Sequence, residues 1–255
     1  MDESLVDLVA DGTLDAELAA LLWLLVEGGA PLTITGRAPL AVRVEVARAV
    51  LAAPPDAPTV LIDADAERPG LATLGARIQS GIRVGLTVEA ADLRAAMDRL
   101  AAPPDGLPED AVRRLGVVLV VGQVPSTAVG PIVERRRILA AHYLRPTERD
   151  PQGHIQRRPP AVLATWVTET DTFDHFAWGM TPELADIVDR TQASFEELQS
   201  SRATALRALV SRRAPDVAGA LAAVREAEPA RQRATPRVTP HPGALHGPLT
   251  DPHVH

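Results

Sequence analysis

Residues 31–53, PLTITGRAPLAVRVEVARAVLAA, contain in turn a strand pattern, a glycine and a helix pattern. The β-branched run at residues 32–35 predicts a short buried strand, and residues 41–53 predict a helix that stops at the two prolines that follow. Gly36 stands between them, where the chain has to turn. This order is the setting of a phosphate-binding loop, in which the N–H groups at the start of a helix surround an anion.

The loop lacks the residues that hold phosphate in the motif G-x-x-x-x-G-K-[ST]. Aligned on Gly36, the sequence has Ala41 in place of the second glycine and Val42 in place of the lysine. Arg43 replaces the Ser/Thr hydroxyl that holds Mg²⁺. Each lost charge-assisted hydrogen bond is worth about 1.5–3 kcal/mol, so several losses together remove most of a micromolar affinity. Arg37 and Arg43 remain as cations that could pair with a phosphate.

Three interpretations of the loop stay open from these residues alone. It is an ordinary turn between a strand and a helix, a nucleotide site that has lost its function, or a site that works with arginine. The missing lysine does not decide among them, because the whole chain has no lysine and its 26 basic residues are all arginine. The same composition excludes lysine Schiff bases, and the absence of cysteine excludes disulfides and thiolate metal sites.

The composition describes a protein whose core is built of small and aliphatic side chains. Apolar residues make up 46% of the 255 residues but aromatic residues only 3%, so Ala, Leu and Val must supply the core. A net charge of -7 argues against a nucleic-acid partner, because proteins that bind nucleic acids usually have a basic surface. The most apolar run, residues 18–26, has about half the length that a membrane span needs. The acidic N-terminus is unlike that of a signal peptide, so we expect a cytoplasmic protein without a membrane span.

Strand and helix patterns alternate over the first half of the chain. Four short apolar runs predict buried strands at residues 32–35, 59–63, 83–88 and 116–122. Helix patterns precede or separate them, beginning with a leucine-rich one for which Asp15 is the predicted N-cap. This alternation predicts an α/β fold whose mostly parallel sheet is covered by helices on both faces.

The second half of the chain has a different pattern. Three strand patterns within residues 135–180 follow one another without a helix, which predicts an antiparallel β section. Residues 181–213 predict one long helix with Thr181 as its N-cap, and residues 216–228 predict a second helix. From residue 229 the chain is rich in Pro, Gly and His, so we expect a disordered tail. A metal-binding tail is the alternative, since four of the seven histidines lie there.

Several side chains of the β section have predicted roles of their own. Its small core is predicted to consist of four aromatic side chains, Trp166, Phe173, Phe176 and Trp178. His142 and His175 are predicted to pack or to form hydrogen bonds within strands. The basic clusters within residues 134–137 and 156–160 are predicted to be solvated charge at turns between strands, with contact to an acidic partner or a phosphate as the alternative. No nucleophile elbow or histidine metal motif occurs, so the sequence predicts no catalytic residue and no metal site.

The order of the segments around the loop resembles the ATPases of type II/IV secretion and pilus systems. ELAALLWLLVEGGAPLTITG (17–36) is similar to the approach to the Walker A loop in that family. GIRVGLTVEAADLRAAMDRLAAP (81–103) is similar to the stretch that carries the family's T-[IV]-H-A box. GLPEDAVRRLGVVLVV (106–121) and AVLATWVTETDTFDHFAWG (161–179) are similar to the strands that follow. The resemblance spans residues 14–210 and implies a P-loop NTPase (RecA-like) parallel sheet with an antiparallel β extension and C-terminal helices.

The chain departs from the family pattern at the positions that serve catalysis. The family's histidine near the γ-phosphate is Glu89 here, and a carboxylate beside a triphosphate repels it unless Mg²⁺ intervenes. Asp63, Asp65 and Glu67 stand for the family's acidic segment, with a polar strand end as the alternative interpretation. Residues 69–83, where a Walker B strand belongs, contain no convincing copy of it.

The resemblance divides the chain into four parts. Residues 1–130 are the expected degenerate P-loop ATPase-like α/β core, and residues 131–180 the antiparallel β section. Residues 181–228 are the expected C-terminal helices, and residues 229–255 the disordered tail.

The function implied is that of a structural or regulatory partner in an assembly rather than a hydrolase. A homo-oligomer or a hetero-oligomer with an active ATPase paralogue is implied as well, because the family builds rings. No cofactor is required in this hypothesis. Its first alternative is a weak ATP-binding protein or ATPase, with or without Mg²⁺, that uses Arg37 or Arg43 in place of the lysine. The second alternative is a scaffold or binding module whose fold does not indicate its role. The residues of the degenerate nucleotide site are Gly36, Arg37, Ala41, Val42 and Arg43, with Glu89 at the former catalytic box.

Overall fold

The computed structural model describes residues 3–54, 58–125, 134–150, 152–213 and 216–228. The predicted disordered or metal-binding tail, residues 229–255, lies outside the described residues. Among the described residues, no helix combines the length and the apolar character that crossing a membrane requires.

Helices and strands alternate along the described chain up to the fourth strand. Five further strands follow, and the last helices come after them. The strands are β1 (Leu32–Thr35), β2 (Thr59–Asp63), β3 (Arg83–Thr87), β4 (Val117–Pro125), β5 (Glu134–Tyr143), β6 (Glu148–Arg149), β7 (Ile155–Gln156), β8 (Ala161–Val167) and β9 (Thr172–His175). The helices are α1 (Leu5–Ala10), α2 (Ala16–Glu27), α3 (Leu40–Leu51), α4 (Arg68–Leu71), α5 (Leu74–Gln79), α6 (Leu93–Ala101), α7 (Glu109–Arg113), α8 (Thr181–Ile187), α9 (Gln192–Arg212) and α10 (Val217–Glu226). A 3₁₀ turn, Ala177–Met180, joins β9 to α8.

Seven strands form one sheet in the order β2-β3-β1-β4-β5-β8-β9. The first four of these are parallel, and β1 lies between β3 and β4, where Leu32 is opposite Gly85 of β3 and Val117 of β4. Every residue of β1 is buried, as its β-branched sequence predicts. The α/β fold with a parallel sheet is therefore confirmed at this level.

The antiparallel β section is also confirmed. β5 pairs antiparallel with β4, β8 with β5, and β9 with β8, so the section extends the parallel sheet rather than forming a separate one. The predicted boundary at residues 130–131 lies outside the described residues, and β4 and β5 pair on either side of it. A separate two-stranded hairpin of β6 and β7 was not predicted, because residues 148–157 carry the Pro, Gly and charged residues of a loop.

Helices cover both faces of the sheet. Alternate residues of β4 show this directly, since Val117 and Leu119 belong to one apolar cluster and Val118 to another. The larger cluster contains residues of α1–α3 and α8–α10, and the smaller one contains residues of α4–α7. The predicted N-cap of α2 is confirmed, because the Asp15 carboxylate accepts a hydrogen bond from the Leu18 N–H at 2.9 Å.

The prediction of one long helix over residues 181–213 is wrong. The chain leaves the helix after α8, with Asp189 in the left-handed region at φ 52°, and α9 begins behind Thr191, whose hydroxyl accepts from the Ser194 N–H. Thr181 lies inside the first turn of α8, and its hydroxyl donates to the Trp178 carbonyl instead of capping the helix. The apolar periodicity missed the break because the apolar residues of the two helices pack into the same cluster.

The predicted aromatic core of the β section is wrong for two of its four members. Trp178 is 77% exposed and Phe176 is 42% exposed, because both lie in the turn that follows the edge strand β9. Trp166 and Phe173 are partly buried, and the Trp166 indole N–H donates to Asp171. The core of this section is aliphatic, and Ile138, Leu163 and Ala164 supply part of it.

Candidate functional site

The candidate site is the four-residue loop 36–39 at the carboxyl end of β1, between β1 and α3. Its Gly36 N–H donates to the carbonyl of Ala90, which follows β3, at 3.0 Å. Its Ala38 N–H donates to the carbonyl of Val121 in β4 at 3.4 Å. The loop is thus held against both neighbours of β1, at the edge of the sheet where α/β proteins bind ligands.

Gly36 is required by the packing of this loop. Its φ is +120°, a value that residues with a side chain rarely adopt, and a Cβ there would lie 1.9 Å from the Val121 carbonyl oxygen. The glycine that suggested a phosphate loop therefore allows the loop to approach β4. No phosphate is needed to explain why a glycine stands at this position.

Arg43 fills the space inside the loop. It lies in the first turn of α3 and is only 3% exposed, and its guanidinium reaches back toward the chain before the helix. One of its nitrogens, Nη1, donates to the Ala38 carbonyl at 2.7 Å and to the Gly36 carbonyl at 3.3 Å. Its Nη2 lies 3.8 Å from a carboxylate oxygen of Glu89. The group at the Ser/Thr position of the motif is therefore an internal cation.

Two carbonyl oxygens of this loop point toward a cation, and the N–H groups of the same residues do not point toward the interior of the loop. A phosphate loop directs its backbone N–H groups toward the anion. Here the N–H groups of Gly36 and Ala38 are used by neighbouring strands or loops, while the carbonyl oxygens of the same two residues hold the Arg43 guanidinium. Carbonyl oxygens carry partial negative charge, so these two stabilise the guanidinium that lies against them.

The other predicted loop residues are not gathered into this interior. Arg37 is exposed and, within the described ranges, forms no hydrogen bond or ion pair. Ala41 is exposed as well. Val42, at the lysine position, is partly buried and packs against the larger apolar cluster. Of the two predicted cations, only Arg37 is therefore open to a ligand from solvent.

Glu89 lies beside the loop but faces water, with its side chain 72% exposed. Its backbone N–H donates to the Asp65 carboxylate at 2.7 Å, and Asp65 also pairs with Arg99 at 2.5 Å. The Asp63 carboxylate accepts hydrogen bonds from the Asp65 N–H and the Thr87 hydroxyl. These contacts favour the interpretation of the acidic residues as a polar strand end.

Metal ligation finds no support in this cluster. Within the part of the chain that the structure describes, no group of three or more His, Cys, Asp or Glu side chains is arranged to hold a metal ion. The Asp63 and Asp65 carboxylates instead accept hydrogen bonds from protein groups.

The prediction of solvated turn charge is wrong for two of the three arginines at residues 135–137. Arg136 pairs with Glu3 and Asp11, and Arg137 is 4% exposed and pairs with Asp171 at 3.0 Å. These arginines lie within β5, so their side chains face the loop that precedes α2 and the β8–β9 turn rather than open solvent. At the second cluster, Arg157 and Arg158 form ion pairs as well, with Glu109, Glu148 and Glu183.

Sequence reasoning missed two groups that hold the loop in place, the backbone carbonyls of Ala90 and Val121. Both act through the backbone, so their side chains carry no signal. The inward position of Arg43 had a signal, since it stands next to the partly buried Val42 and three residues before the buried Val46 on α3. Comparison with protein-family models and with curated proteins finds no match to this chain.

Proposed function

We propose that this chain is a catalytically degenerate P-loop-type protein, related to the ATPases of secretion and pilus systems, that serves an assembly without hydrolysing nucleotide. One observation carries the proposal: the Arg43 guanidinium occupies the inside of the loop on the carbonyls of Gly36 and Ala38. A nucleotide phosphate placed there would have to displace a buried cation and would meet carbonyl oxygens in place of N–H donors.

The segment between β2 and β3 supports the same proposal. In the family, a strand that carries Walker B belongs near residues 69–83. Here those residues form α4 and α5 up to the start of β3, and β2 pairs directly with β3 from Thr59–Arg83 to Asp63–Thr87. The residues where the family's Walker B strand belongs are therefore helical here up to the start of β3.

The role proposed for the chain is structural or regulatory. By resemblance to a ring-forming family, it associates with its own copies or with an active ATPase paralogue in the cytoplasm. Sedimentation velocity over a wide concentration range, alone and with such a paralogue, tests this part. A monomer that does not interact with the paralogue would contradict it.

Calorimetric titration with Mg-ATP tests the degenerate site. We expect no binding by the wild-type protein up to about millimolar nucleotide, an affinity limit near -4 kcal/mol. The Arg43→Ala variant removes the cation from the loop, and Arg48→Ala on the exposed side of α3 is its matched control. Micromolar binding by the wild type and the control that Arg43→Ala loses would overturn the proposal.

A second candidate function is weak nucleotide binding through Arg37. The observation that favours it is the exposed guanidinium of Arg37, which has no partner among the described residues. In this case, Mg-ATP would bind weakly to the wild type, Arg37→Ala would abolish the binding and Arg43→Ala would not. Equal binding by the wild type and Arg37→Ala would exclude the candidate.

A further inference from the structure

A cavity of about 600 Å³ lies among the helices α4, α5 and α7, next to the smaller apolar cluster. Its apolar wall contains Leu71, Leu74, Ile78 and Leu107. Ligand pockets for small molecules have volumes of roughly 300–1,000 Å³ and mostly apolar walls with a few polar groups. This cavity has the volume and the lining of such a pocket, and no residue of the loop after β1 lines it.

Hydrogen bonds fix one wall of the cavity in place. Arg68 of α4 reaches the end of α6, where its Nη1 donates to the Ala102 carbonyl at 3.2 Å and its Nη2 donates to the Arg99 carbonyl at 3.1 Å. The Leu107 N–H donates to the Leu100 carbonyl at 2.8 Å, which draws the segment 102–108 back onto α6. The cavity is therefore formed before any ligand enters, which lowers the entropic cost of binding.

The least solvated charge at the cavity is positive. Arg68 is partly buried, it forms no ion pair among the described residues, and two neutral carbonyls use only part of its five N–H donors. The other charged residues that line the cavity, Asp105, Asp110 and Arg114, are exposed and their charges are screened by water. A charge that is partly removed from water interacts more strongly with a ligand than an exposed one does.

We propose that this cavity binds a small amphipathic anion, with an apolar body against Leu71, Leu74 and Leu107 and a carboxylate or similar group toward Arg68. The apolar body gains free energy by leaving water, and the anionic group compensates the guanidinium charge. This site is separate from the proposed nucleotide function, so either one can be correct without the other.

Calorimetry with three probes of equal chain length, decanoate, decanol and decylamine, tests the proposal on the full-length protein. We expect decanoate to bind most tightly, decanol less tightly and decylamine least tightly. Ala111→Phe places a ring in the cavity from α7 and should abolish binding of all three probes. Arg68→Met should weaken decanoate about tenfold through the loss of one charge-assisted bond, with little effect on decanol.

Arg94→Met is the matched control, because Arg94 is an almost fully exposed arginine on α6 that does not line the cavity. It should leave all three affinities unchanged. Absence of decanoate binding by the wild type, equal binding of decanoate and decylamine, or full affinity in Ala111→Phe would each overturn the proposal. An Arg68→Met variant that loses decanoate and decanol alike would overturn the role given to the Arg68 charge.

Discussion

Two buried arginines, Arg43 in the loop after β1 and Arg202 in α9, are stabilised in different ways. Arg43 donates to two backbone carbonyls, and its nearest carboxylate, Glu89, is exposed and lies 3.8 Å away. Arg202 is 0% exposed and pairs with Glu27 at 2.6 Å and Glu228 at 2.7 Å, while its guanidinium lies 4.3 Å from the Trp23 ring centre. The loop thus compensates its cation with backbone dipoles, and the helices compensate theirs with buried carboxylates.

The difference predicts which region contributes more to stability. Buried ion pairs are costly to break, because a carboxylate left without its partner remains in a poorly solvated place. Arg202 of α9 pairs with Glu27 at the end of α2 and with Glu228 just beyond α10, so the Arg202 side chain couples three helices. Arg225 of α10 also pairs with Glu27. The hydrogen bonds of Arg43 are local, between the loop and the first turn of α3.

The largest expected effect is that of Arg202→Met. It leaves the carboxylates of Glu27 and Glu228 buried without their main cation and should lower the free energy of unfolding by about 3–5 kcal/mol. Urea unfolding measures the change. The control is Arg207→Met in the same helix. Arg207 is exposed and its partner Glu17 is only partly buried, so this change should lower the free energy of unfolding by less than about 1 kcal/mol. Similar costs for the two variants would contradict the coupling role of Arg202.

A somewhat smaller effect is expected for Gly36→Ala. The new Cβ would clash with the Val121 carbonyl, and the loop would hold alanine at a positive φ. We therefore expect the free energy of unfolding to fall by about 2–4 kcal/mol. Gly29→Ala is the control, because Gly29 also has a positive φ, +88°, but a Cβ added there would have no other atom within 4 Å. That variant should lose only about 1 kcal/mol. Equal losses would show that the contact with β4 does not matter.

Arg43→Met should lower the free energy of unfolding by less than either change, about 1–3 kcal/mol, because it leaves two neutral carbonyls without a donor but no buried carboxylate without its cation. Arg48→Met on the exposed side of the same helix should change the unfolding free energy by less than about 0.5 kcal/mol. Thermal and urea unfolding of both variants measure the difference. If Arg43→Met and Arg202→Met lowered the free energy of unfolding equally, the proposed difference in stability between the two regions would be contradicted.

The smallest effect concerns pH and His142 of β5. Burial lowers the pKa of His142 below its ordinary value of 6.5, so the unfolded chain binds a proton more readily than the folded protein. Stability contributed by neutral His142 is therefore present above pH 6.5 and is lost as pH falls toward the lowered pKa. His142→Phe should flatten the stability profile in that window, as measured by urea unfolding at a series of pH values. An unchanged slope in His142→Phe would contradict this.

The parallel core was predictable from the sequence because its strands are short apolar runs. Leu32–Thr35 is buried throughout, whereas Thr59–Asp63 is an edge strand in which only Ile62 is buried, and both are observed at the predicted residues. The helix break at Asp189 and the exposure of Trp178 were not predictable in the same way. Apolar side chains on either side of a break still obey the same periodicity, and an exposed tryptophan looks like a core residue in a sequence.

The sequence by itself determined the alternation of strands and helices up to β4, the position of the tight turn at Gly36 and the loss of the phosphate-binding side chains at residues 41–43. These features depend on local properties, which are apolar periodicity, glycine conformation and side-chain charge. Only the tertiary structure decided where Arg43 and Arg202 place their charges. Their partners, the loop carbonyls in one case and Glu27 and Glu228 in the other, are brought together by packing. A buried cation depends on contacts that only the folded chain provides.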